Sequence, residues 1–119
     1  MPNRRRQEAF RYEFGTPHDT SFYISRLKGK EHHSKNGRGV LMNMSPGGLR
    51  LQTELDLPEK DCELTFDMTI AGTQLEPAGV IVWKKQVAGR WLYGVDFLED
   101  TETGSILFAL KQFAREQSS

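Results

Sequence analysis

The chain has 119 residues, enough for one domain that buries roughly two thirds of its unfolded surface. Its 16 Lys and Arg residues balance 16 Asp and Glu residues, so no global field drives it onto nucleic acid or a membrane. There is no signal-type segment, long apolar span or lipidation signal, and the single Cys62 cannot form an internal disulfide. A soluble protein of the reduced cytoplasm is therefore expected.

Residues 1–10 are polar, carry Arg4, Arg5 and Arg6, and lack an apolar stripe. They are expected to form a flexible arm ahead of a domain spanning 11–119. Residues 11–27 begin extended, are punctuated at Gly15-Thr16-Pro17, and continue as a strand through Phe22-Tyr23-Ile24. Residues 28–38 are a polar loop in which Asn36-Gly37 signals a turn. Two short strands, 39–42 and 49–53, then flank Asn43-Met44-Ser45-Pro46-Gly47-Gly48. Ser-Pro-Gly-Gly supplies a tight connection, since Pro sets φ and Gly accepts φ > 0. Leu49, Leu51 and Thr53 face one side of the second strand, Arg50 and Gln52 the other.

After a break at Leu57-Pro58-Glu59-Lys60, Cys62, Leu64, Phe66, Met68 and Ile70 alternate with polar residues. This is the clearest half-buried strand of the chain. Ala71-Gly72-Thr73 turns it back into a strand over 74–86, with Pro77 near its entrance and Gly79 at a bend or bulge. Val87-Ala88-Gly89 is a hairpin loop. The last strand, 90–98, sets Trp91, Tyr93, Val95 and Phe97 on one face and leaves Gly94 and Asp96 toward solvent or a site. Residues 100–117 change period: Ile106, Leu110, Phe113 and Ala114 fall on one helical face. Asp100 or Thr101 can cap this helix, and Glu102 suits its N-terminal dipole. Six short antiparallel strands and one helix predict a mainly β protein, a small closed six-stranded barrel with the helix over one opening.

Asn43 and Ser45, two residues apart, project from one strand face, and Gly48 carries no Cβ. They make a small polar platform suited to a planar, donor- and acceptor-rich group such as a purine edge, or simply a Ser-capped turn. Arginines pair with phosphate and read the O6/N7 edge of guanine. Beside that platform they would complete a pocket for a guanine nucleotide. No catalytic group stands out: Glu63 and Asp67 share only the polar side of an amphipathic strand, and no Ser, Cys or Lys has an activating context. His18, His32, His33 and Cys62 match no ligand spacing, so neither enzyme chemistry nor a metal site is expected.

The conjunction resembles the PilZ family, small bacterial split β-barrels that bind cyclic di-GMP through an N-terminal RxxxR motif and a downstream [D/N]xSxxG. The hexamer 43–48 matches the second motif in full, and Val80-Ile81-Val82-Trp83 and Tyr93-Gly94-Val95-Asp96-Phe97 look like the family's later strands. The first motif departs from the pattern. Gln7 stands four residues before Arg11 and Arg6 five before it, giving RxxxxR. The resemblance implies that Arg6 or Arg5, with Arg11, grips phosphates and guanine edges. Asn43 and Ser45 would bond a second guanine or its ribose, and Gly48 would permit close approach. Arg4 and Trp83 are secondary candidates, Trp83 as a stacking surface or as a barrel-packing aromatic.

No other cofactor is implied. The family's members are receptors whose arm orders over the barrel mouth on ligand binding and presents a surface to a protein effector, in motility or biofilm regulation. Two alternatives remain at this level: a PilZ-like interaction module that has lost the ligand, and a nucleic-acid-binding small barrel.

Overall fold

The computed structural model describes residues 10–118. Eight strands and one helix follow in the order β1 (Tyr12–Leu27), β2 (Lys30–Glu31), β3 (Gly37–Ser45), β4 (Gly48–Thr53), β5 (Cys62–Ile70), β6 (Thr73–Leu75), β7 (Ala78–Val87), β8 (Arg90–Phe97) and α1 (Thr103–Gln117). Six of the strands close an antiparallel ring, β1-β3-β4-β8-β7-β5, with β5 pairing back onto β1. The expected strand number of the ring therefore holds; β2 and β6 are short hairpin extensions on its rim. Closure removes edges that would otherwise pair with another chain.

The inward faces follow the alternation of the sequence. Leu64, Phe66 and Ile70 of β5 have no exposed surface, nor have Leu41, Met44, Leu51 and Tyr93 from β3, β4 and β8. One long strand, β1, serves two neighbours: its first half pairs with β3 and its second half with β5. Where β3 departs, residues 32–36 cover the free edge of β1. The His32 N–H donates to the Ser25 carbonyl at 3.1 Å and the Ser34 N–H to that of Ile24 at 3.2 Å, while the Ile24 N–H donates to Ser34 Oγ at 2.8 Å.

Three hairpins turn on pairs with left-handed φ, Lys28-Gly29, Ala71-Gly72 and Ala88-Gly89. Two consecutive residues of this kind match the twist of the flanking strands. The turn expected at Asn36-Gly37 is therefore displaced to Lys28-Gly29. Gly37 opens β3 instead, because a Cβ there would sit 2.6 Å from Leu55 Cδ1. Nor is Gly48 a left-handed residue of its turn. It already belongs to β4, and the left-handed glycines are those of the other three hairpins.

Two irregularities position the site. On β3, Leu41 pairs with Leu51 and Asn43 with Arg50, leaving Met42 as an extra residue. On β7, Ile81 pairs with Val95 and Trp83 with Gly94, leaving Val82 extra. The bulge expected at Gly79 thus falls three residues later. Gly79 has another reason: a Cβ would lie 2.5 Å from the Asp96 carbonyl oxygen.

The helix seats Ile106, Ala109 and Leu110 against β3, β5 and β6. Phe113 meets Tyr12 and Phe14 edge-on, at 5.5 and 5.6 Å between ring centroids. Its cap is Glu102, without a side-chain capping bond, rather than Asp100 or Thr101. Those two residues are spent on the preceding turn, in which the Thr101 N–H donates to the Leu98 carbonyl at 3.1 Å. Glu102 instead accepts from Ser105 Oγ at 3.3 Å. Ala114 is only half-buried.

Candidate functional site

The pairing of β3, β4, β8 and β7 lays two parallel rows across the outside of the ring. One runs Asn43, Arg50, Gly94, Trp83; the other runs Ser45, Gly48, Asp96, Val80. The extra residue at Met42 makes the first row possible. In a regular strand Leu41 and Asn43 would share a face. With Met42 unpaired, Leu41 and Met44 both enter the core while Asn43 and Ser45 turn outward.

Asn43 and Ser45 are nevertheless not an open platform, because Arg11 covers them. Its Nη1 donates to Asn43 Oδ1 at 2.5 Å and its Nη2 to Ser45 Oγ at 3.4 Å. Asn43 is 2% exposed and Ser45 fully buried. Ser45 Oγ also accepts from the Gly47 N–H at 3.2 Å. The Ser-capped turn and the polar partnership with arginine therefore coexist on one hydroxyl. Both acceptors are uncharged, so they orient the guanidinium without cancelling its charge. The local pairing explains the meeting: Tyr12 lies opposite Met44, which brings the preceding residue alongside Ser45.

At the far end of the first row, Trp83 stands outside the ring and lies against Gly94; it is not a barrel-packing aromatic. A Cβ on Gly94 would meet the indole Nε1 at 2.0 Å. The Arg50 guanidinium carbon sits over the indole, 5.4 Å from its centroid. Gly48, in the neighbouring row, is constrained differently: a Cβ there would lie 2.3 Å from the Val95 carbonyl oxygen.

The two glycines should respond unlike each other to alanine. Gly48→Ala pushes against backbone and is expected to cost about 1–3 kcal/mol in urea unfolding. Gly94→Ala meets a side chain that can swing away. It should cost less, but release the indole and shift its fluorescence to longer wavelength. Equal losses of stability with unchanged emission would contradict this placement of Trp83.

Arg4, Arg5 and Arg6 fall outside the described residues. The histidines and the cysteine considered from sequence have other roles. His18 Nε2 is 2.8 Å from the Thr69 carbonyl oxygen and its ring stacks on Phe14, whereas His33 stacks on Tyr23 at 4.1 Å. Burial pushes the Cys62 thiol up to about 11, so it is a packing residue with little thiolate at neutral pH. Among the described residues, no group of three or more His, Cys, Asp or Glu side chains could hold a metal. No helix of the described chain is long and apolar enough to cross a membrane. A cavity of about 620 Å³ between β6 and the start of α1 is lined by Gln74, Glu76, Asp100 and Ser105, among others, and contains none of the motif residues.

Arg50 was not singled out from sequence. Its outward position was legible from the alternation of β4, but its neighbour Trp83 is brought to it across an intervening strand.

The model of the PilZ domain matches residues 3–111. The chain belongs to the PilZ domain family. Among solved structures it is similar to YcgR from Escherichia coli in complex with c-di-GMP, at 19% identity and a TM-score of 0.58, covering 92% of this chain and 47% of that one. It is similar to MrkH from K. pneumonia in its apo state, at 14% identity and a TM-score of 0.56, covering 91% and 52%. The isolated PilZ domain of E. coli YcgR with c-di-GMP matches at 18% identity and a TM-score of 0.51, over 92% of this chain and 94% of that domain. The chain thus spans about half the length of the first two proteins, and at these identities the likeness concerns the fold. No curated protein matches it. On this PilZ domain the [D/N]xSxxG motif is the β3–β4 hairpin, with its Asn and Ser directed at Arg11.

Proposed function

We propose that this PilZ domain is a receptor for cyclic di-GMP, bound on the outer face of the ring. The observation that carries the reading is the convergence of Arg11 with Asn43 and Ser45, 32 and 34 residues away in sequence. Arg11 is the ligand's principal contact. Asn43 and Ser45 aim its guanidinium, and Gly48 keeps the surface low beside it. Arg5 or Arg6, with Arg4 in reserve, closes over the ligand from the N-terminal segment, and Trp83 bounds the far side of the site. The domain acts by binding rather than catalysis. Ordering of the segment costs affinity but creates a surface that a protein effector recognises. A cytoplasmic setting and an output in motility or biofilm control fit this role.

The RxxxxR spacing favours one alternative, an interaction module without ligand. Thermal unfolding separates the two. At ligand a hundredfold above Kd, stabilisation should be about 2.7 kcal/mol. Cyclic di-GMP should raise the melting temperature, while GMP and GTP should leave it unchanged. No shift with any of the three nucleotides would leave the interaction module standing.

A further inference from the structure

We propose that Arg50 is a second base-reading residue of the site, beside Arg11, donating from its guanidinium to the O6/N7 edge of a guanine in the bound cyclic dinucleotide. The proposal rests on the receptor reading above and adds a residue of the sheet to those that set its choice of base.

Arg50 lies on β4 between Asn43 of β3 and Gly94 of β8, in the middle of the outward row, and is exposed. The indole of Trp83 supports it from one side. A guanidinium over an aromatic ring keeps its N–H donors in its own plane, available to a second partner, while the ring restricts the long side chain. Much of the ordering cost of an arginine contact is thereby met before any ligand arrives. Lysine, a rotating point charge, offers neither the plane nor the fork.

The surroundings favour a flat partner. Gly48, in the neighbouring row, adds no side chain beside Arg50, while the space over Gly94 in Arg50's own row is filled by the flat Trp83 indole. Guanine presents two acceptors at its major-groove edge, which suit a two-pronged donor. Adenine presents one acceptor and an amino donor there, which arginine cannot accept. Arg50 therefore discriminates between bases, and a residue fixed in the sheet compensates for an arm motif that is one residue too long.

Calorimetric titration of the parent, Arg50→Ala and Arg50→Lys chains with cyclic di-GMP and with cyclic di-AMP tests this. Arg50→Ala should weaken cyclic di-GMP by about 5- to 150-fold and leave cyclic di-AMP unchanged, narrowing the preference for guanine. Arg50→Lys should not restore it. Binding of cyclic di-GMP as tight as the parent's in Arg50→Ala overturns the proposal. So does an equal loss for both dinucleotides, or full recovery with lysine, since either would make Arg50 a charge alone. A parent chain that binds neither dinucleotide overturns the receptor reading itself and this one with it.

Discussion

Tyr93→Ala is expected to remove about 3–5 kcal/mol of stability, the largest loss available from a single side chain of the ring. Tyr93 is fully buried in β8, and its hydroxyl ties down the loop after β4. It donates to the Leu55 carbonyl at 2.7 Å and accepts from the Leu57 N–H at 2.7 Å. Lys84 reinforces the same loop through the Leu57 carbonyl and Asp56. Alanine empties the core position and strands both backbone groups. Tyr93→Phe keeps the ring and isolates the hydroxyl, at about 1–3 kcal/mol. Against a total of about 5–15 kcal/mol for a domain of this kind, the alanine variant should sit near the limit of folding. Urea unfolding measures both; a phenylalanine variant with the parent's midpoint would show that the loop does not depend on the hydroxyl. Burial raises the Tyr93 pKa above its ordinary 10.0. The neutral phenol's contribution is therefore complete below pH 10 and lost as the pH climbs through the raised value. Alkaline destabilisation should accordingly be shallower in Tyr93→Phe than in the parent.

Arg11→Ala is expected to weaken cyclic di-GMP by about 5- to 150-fold, the 1–3 kcal/mol of a good arginine–guanine contact. Asn43→Ala should weaken binding in the same direction by withdrawing the oxygen that orients the guanidinium. If Asn43 acts through Arg11, the double variant should be no weaker than Arg11→Ala by more than about 0.5 kcal/mol. Calorimetry on the four proteins gives the coupling directly. Losses that simply add would mean that Asn43 meets the ligand on its own account.

Much of the ring could be read from periodicity. The strict alternation from Cys62 to Ile70 survives intact because both faces of β5 have a single environment along their length. The turn at Ala88-Gly89 was legible for a local reason, a left-handed pair, whereas the single strand expected over 74–86 is split at Glu76-Pro77 into β6 and β7. What escaped depends on partners distant in sequence. Asn36-Gly37 is the stronger local turn signal, yet Gly37 answers to the space taken by Leu55 and Phe22. The extra residues at Met42 and Val82 are defined only by what lies opposite them, so no local pattern announces them. In the site, Arg11, Asn43, Ser45 and Gly48 were identifiable by type and spacing. That Arg11 already rests on the other two, and that Arg50 stands over Trp83, follows from strand order alone.

The unpaired Met42 shifts the phase of β3 by one position between the core and the recognition surface. A chain shortened there by that single residue would make Leu41 and Asn43 neighbours opposite Leu51 and Arg50, a regular ladder with the same faces in and out. Ironing the bulge out with Met42 retained would instead carry the carboxamide and hydroxyl toward the oily interior and bring Met44 into solvent. Ligand recognition in this protein is thus conditional on how the surplus residue is accommodated as well as on the identities of the motif residues. Relatives with a complete motif but one residue fewer before it would present the same outward pair without a bulge.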